Sequence, residues 1–179
     1  ALGLNTTGSY NTAVGQLALY SNTTASNNTA VGYQALYSNQ TATFLTAVGY
    51  LAGYANTSGR ITAVGYNALP ANTSGICTAV GYATLQSNTS GTSNNAFGDQ
   101  ALLRNTTGSY NTAIGDLSLY YNTTASYNTA VGFQAGYSNT TGPYLTAVGQ
   151  QAAYSNTTAS GITAIGRSAL YANTTGLYN

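Results

Sequence analysis

The sequence predicts an all-β fold: a β-solenoid of about ten and a half coils of 16–17 residues, stacked as a rod. Three observations carry that expectation. A motif Ala-Val-Gly, with Ile or Phe replacing Val in some units, recurs with its glycine at 15, 32, 49, 65, 81, 98, 115, 132, 149 and 166, so the spacing is always 16 or 17. The unit is too short for a helical repeat, which needs two helices and roughly 33 residues. It is also rich in Thr, Val, Tyr, Asn and Gly, residues of strands and turns. Finally, Leu, Ile, Val and Phe make up about 17% of the chain, below the roughly 20% usual for globular cores. Disorder couples such poverty to high net charge, but here the net charge is +1. Close packing of small residues around a regular backbone ladder satisfies both facts.

The consensus unit reads N-T-T-G-S-Y-N-T-A-V-G-Y-Q-A-L-Y-S, which suggests two or three short strands per coil joined by turns. Coils pairing at ~4.8 Å would give a rod roughly 50 Å long. The motif glycine is expected where the backbone needs positive φ or a close approach. Ala precedes it by two positions in every unit, and Val, Ile or Phe by one. Neighbours on a strand face opposite ways, so one face would meet the coil's own core and the other a second surface. Asn56-Thr57-Ser58-Gly59-Arg60-Ile61 is one residue shorter than Asn156-Thr157-Thr158-Ala159-Ser160-Gly161-Ile162. The loss is assigned to the N-T-T segment, as a solvent-facing turn would tolerate.

A longer period also runs through the chain. Residues 5–13 recur unchanged at 105–113. Four positions before the glycine, the series Asn, Asn, Leu, Ile, Cys, Asn begins again with Asn, Asn, Leu, Ile. The chain therefore reads as one array over 1–179, with a six-coil super-unit at 5–104 and a partial second at 105–179. It opens and closes in mid-unit, as a window on a longer array or a subunit cut out of phase would. The apolar members of that series, Leu45, Ile61, Cys77, Leu145 and Ile162, are candidate inter-chain contacts returning every roughly 29 Å. A six-coil duplication without any assembly role would give the same pattern.

The composition excludes much chemistry. Five side chains are charged (Arg60, Arg104, Arg167, Asp99 and Asp116), and His, Met and Trp are absent. General acid–base, nucleophilic and metal-site designs lack their parts, so no enzyme, catalytic residue, cofactor or metal is expected. The charge offers no footprint for nucleic acid or anionic membrane, and no apolar run is long enough to span a bilayer. Asp99 and Asp116 share a column, but two carboxylates fall short of a calcium shell. Cys77 replaces Leu or Ile and reads as a small buried hydrophobe.

Sequons recur once per coil at Asn5, Asn22, Asn39, Asn56, Asn72, Asn88, Asn105, Asn122, Asn139, Asn156 and Asn173, with Asn27 added. They are candidate N-glycosylation positions. The same column could instead be an Asn ladder bonded from coil to coil, and sites ~4.8 Å apart crowd bulky glycans. Thr12, Thr29, Thr46, Thr62 and Thr78 form a column of the kind an ice-matching face needs. Tyr20, Tyr37, Tyr54, Tyr120, Tyr137, Tyr154 and Tyr171 form one aromatic column, and Tyr33, Tyr50, Tyr66 and Tyr82 another. Such ladders stabilise stacked strands, and exposed ones also bind sugars or other subunits.

The run N-T-A-V-G-x-x-A-L, at Asn11 to Leu19 and closely at Asn28 to Leu36 and Asn111 to Leu119, resembles the YadA-like head repeats of trimeric autotransporter adhesins. Similar repeats occur in phage tail fibres and repeat-rich surface proteins. The resemblance covers the whole chain and implies a left-handed β-roll, trimeric assembly and binding to host surfaces or extracellular matrix. Together these readings point to a non-enzymatic structural component of an extracellular or cell-surface fibre or adhesin. Its expected partners are copies of itself, as an end-to-end polymer or lateral trimer, and glycans or a host surface. The alternatives are an ice-binding or carbohydrate-binding solenoid and a phage tail-fibre segment.

Overall fold

The computed structural model describes residues 1–177 and is a β-solenoid with no helix among them. Each repeat contributes one strand: β1 (Thr12–Val14), β2 (Thr29–Val31), β3 (Thr46–Val48), β4 (Ile61–Val64), β5 (Cys77–Val80), β6 (Asn94–Phe97), β7 (Thr112–Ile114), β8 (Thr129–Val131), β9 (Thr146–Val148) and β10 (Thr163–Ile165). They form a single parallel sheet in chain order, continuous across the boundary between the two super-units. Register is strict: Ala13 pairs with Ala30, Ala30 with Ala47, and so on to Ala147 with Ala164. The expectation of two or three strands per coil is corrected to one. The rest of each coil is turn backbone, yet it too bonds to the next coil, as in Leu19 N–H to the Ala35 carbonyl at 2.9 Å and Ser21 N–H to Tyr37 at 3.1 Å.

The repeat glycines close the strand against its neighbour. Gly65 has φ +136°, and a Cβ there would lie 2.2 Å from the Gly81 carbonyl oxygen. No side chain fits between coils so closely spaced, which explains why the column tolerates nothing else. In the turn after the glycine two further positions take positive φ, mostly without glycine, such as Leu17 and Leu19 at φ 60° and 48°. A Leu in that conformation carries no sequence signal; burial of Leu19 compensates the strain.

The core is narrow and built from small groups. In a typical coil it holds Ala30, Ala35, Leu36, Asn39 and Ala42, with Asn28 beside them, all buried. The column four positions before the glycine faces inward, so Leu45, Ile61, Cys77, Leu145 and Ile162 are 0–4% exposed. That corrects their assignment as inter-chain contacts. For Ile61, Leu145 and Ile162 the cause of the recurrence is internal. Gly53 stands where other coils carry Leu, and a Cβ on it would lie 2.5 Å from Ile61 Cδ1; a Cβ on Gly136 would lie 2.9 Å from Leu145 Cδ2. Ile162 likewise follows Ala153, another buried small residue in that column. In these three coils a large residue in one column fills the space a small one leaves in the other, as close packing requires, whereas Leu45 follows Leu36, also large and buried.

The short coils do not lose their residue from the N-T-T segment. Asn56 still reaches the Gly59 carbonyl three residues on at 2.9 Å, as Asn22 reaches Ala25 at 3.1 Å, so the N-T-T segment is intact. The missing residue is the one just before the strand, which has positive φ in Tyr10, Asn27, Phe44 and Ser93. Arg60 and Ile76 show no positive φ, and the strands that follow them run to four residues.

Candidate functional site

The two families of asparagine lie inside the rod. Asn22, Asn39, Asn56, Asn72, Asn88, Asn105, Asn122, Asn139 and Asn156 are fully buried. Each Nδ2 donates to a carbonyl three residues on, and most also donate to the Oδ1 of the preceding coil. Asn105, for instance, gives 2.9 Å to Gly108 and 2.7 Å to Asn88, and Asn122 gives 2.8 Å to Asn105. Asn5 and Asn173, half-buried at the ends, donate to Gly8 and Gly176. The candidate N-glycosylation reading of this column is therefore corrected: a glycan would replace an amide hydrogen used inside the core. Asn27 is the exposed sequon among the described residues. The second family, Asn28, Asn94, Asn111 and Asn128, accepts backbone N–H groups from the following coil, as from Leu45 at 2.9 Å and Leu145 at 2.8 Å. Cys77 continues the pattern: its thiol lies 3.3 Å from the Gly91 carbonyl, a place asparagine amides take elsewhere. Burial pushes its pKa up to about 11.

The two threonine columns differ. Those after the buried asparagines are committed, with Thr106 Oγ1 donating to the Thr123 carbonyl at 3.1 Å and Thr123 to Thr140 at 3.1 Å. The strand threonines, Thr12, Thr29, Thr46, Thr62 and Thr78 among them, face outward, their hydroxyls bonded to no group among the described residues. Alongside them on the outer face stand Val14, Val48, Phe97, Ile114 and Ile165, each at least 36% exposed.

Tyrosine columns frame this sheet face. Tyr33, Tyr50, Tyr66 and Tyr82 stack at 5.0–5.3 Å just after the glycines. A third stack not singled out in the sequence, Tyr110, Tyr127 and Tyr144, runs along the opposite edge at 5.0–5.4 Å. The remaining column, Tyr20–Tyr37–Tyr54 and Tyr120–Tyr137–Tyr154–Tyr171, lies away from the sheet, where Arg104 sits 5.0 Å from the Tyr121 ring. Rings within each stack are nearly parallel, 3–12° apart along the first two columns named here. Their faces cover one another and their edges point outward, whereas a sugar platform needs a free ring face.

Apart from Leu4, Tyr171 and Leu177, every large apolar side chain exposed among the described residues falls on the strand face or its two edges. The face carries little charge: Asp99 and Asp116 along one edge, with Asp99 N–H bonded to Asp116 Oδ1 at 2.9 Å, and Arg60 and Arg167. Among the described residues no group of three or more metal-binding side chains comes together. Nothing matches this chain among protein-family models, curated proteins or solved structures. The face itself therefore carries the functional argument.

Proposed function

We propose that this chain is a structural rod of an extracellular surface fibre or adhesin, and that it associates laterally with copies of itself through its strand face. The observation that carries this reading is the segregation of exposed apolar side chains onto one face. Contiguous apolar patches beyond a few hundred Å² mark interaction sites on soluble proteins. Ten coils at ~4.8 Å by a width of about 15–20 Å make a face of roughly 700–1,000 Å², comparable with the ~800 Å² each partner buries in a standard interface. A partner must match a corrugation of ~4.8 Å over the whole length, and another copy does so by construction. The resemblance of the N-T-A-V-G-x-x-A-L runs to adhesin head repeats supports the placement at a surface.

Sedimentation velocity tests the association. The chain is expected to sediment as a discrete oligomer, and a Val31→Lys, Val64→Lys, Val131→Lys variant as a folded monomer. A wild-type chain that stays monomeric at tens of micromolar would sink the reading. The tyrosine walls beside the threonines break the flat plane that ice recognition needs, so no thermal hysteresis is expected.

A further inference from the structure

We propose that the two 16-residue coils form a key that holds a second copy in parallel, coil-for-coil register; this rests on the lateral association proposed above. A face that repeats every coil specifies register weakly, because a slip of one coil restores nearly the same contacts. Something must break the period. On this face the break is the missing residue before β4 and β5, which leaves a notch of about 320 Å³ lined by Phe44, Arg60, Ile61, Ile76, Thr62 and Thr78. Across the same two strands, on the opposite edge, stand Tyr66 and Tyr82, 49% and 52% exposed.

When two such faces meet by rotation about a line parallel to the rod, strand direction reverses across the interface. The edge carrying Arg60 and Ile76 then meets the edge carrying Tyr66 and Tyr82 at the same coil level. The rings fill the notch, and the exposed Arg60 guanidinium lies against them as a cation–π partner. The same operation sets Asp99 and Asp116 opposite Ser93 and Tyr110, whose hydroxyls can donate to a carboxylate. The antiparallel alternative sets like edges together. Any such pairing that seats two of Tyr110, Tyr127 and Tyr144 over the notch brings Asp99 of one copy against Asp99 or Asp116 of the other, a like-charge contact.

Cysteine pairing reads the register. In a Cys77→Ala background, a Tyr127→Cys copy is mixed with copies carrying Asp116→Cys, Phe133→Cys or Gln150→Cys, one coil below, level with and one coil above it. Disulfide formation is expected with Phe133→Cys alone. Inserting one serine before Arg60 and one before Ile76 restores 17-residue coils; the oligomer should persist while all three pairs cross-link to similar extents. The Tyr66→Ala, Tyr82→Ala variant, unchanged in length, should lose register in the same way. Equal cross-linking of all three pairs in the native chain, Tyr127→Cys self-pairing, or an insertion variant that keeps the single pair would overturn the key while leaving association standing. A monomer by sedimentation overturns both.

Discussion

Asn105 uses its amide completely: both Nδ2 hydrogens are donated and Oδ1 accepts from Asn122. In a rod this thin the amide replaces what a larger core would supply with hydrocarbon. An Asn105→Ala change leaves an Asn122 amide hydrogen without its acceptor in a dry interior, and leaves the Asn88 oxygen and the Gly108 carbonyl to Asn94 alone, at 3.5 and 2.7 Å. The expected loss is about 2–4 kcal/mol by urea denaturation, against less than about 0.5 kcal/mol for Thr107→Ala on the surface. Cys77 gives a pH-dependent prediction. Burial raises its folded pKa to about 11 from an ordinary thiol value of 9.0, so the neutral thiol favours the folded state. That contribution is complete below pH 9 and is lost as pH rises toward 11. Stability measured between these limits should fall by on the order of 2 kcal/mol more in the native chain than in Cys77→Ala. Equal slopes would mean that the thiol is not shielded in solution.

At the scale of the coil, most units conserve volume between two inward columns, Leu36 with Leu45 being an exception. Gly53 with Ile61, and Gly136 with Leu145, reverse the usual large–small assignment of Leu followed by Asn. Gly53→Leu alone should therefore overpack against Ile61 and destabilise by about 1–3 kcal/mol. Ile61→Ala alone should open a cavity and cost about 2–4 kcal/mol. Combined, they should cost less than the sum, a coupling that a double-mutant cycle in urea would measure. Strict additivity would show that the two columns do not share their space.

Across the whole molecule, cohesion comes from ladders of backbone, amide, hydroxyl and aromatic groups running along the axis. Charge takes little part. A column brings like groups within ~4.8 Å of one another, so a charge repeated in every coil would repel along the rod. Neutral Thr, Asn and Tyr stack without that cost. The thermal midpoint of the rod is accordingly expected to change by less than about 2 °C between 20 mM and 500 mM NaCl, because screening removes little. A large salt dependence would point to long-range attractions that the column chemistry does not contain.

Sequence alone determined the solenoid, its coil length, the glycine column, the opposite facing of Ala and Val in each strand, and two of the three tyrosine stacks. All of these follow from period, and period survives without any knowledge of folding. That Ala is the inward one came from the structure. Which columns face inward elsewhere was decided by the tertiary structure. A sequon looks the same whether its asparagine meets solvent or donates to Gly108 and Asn88, and Leu45 looks like a surface anchor until its coil is closed around it. In the turn-built part of each coil no alternation of side chains reports direction, because backbone conformation there changes residue by residue, as at Leu17 and Leu19. The missing residue before Arg60 was visible as a length, but its position needed the retained bond from Asn56 to Gly59. Period set the columns; the path of the backbone between strands set their facing.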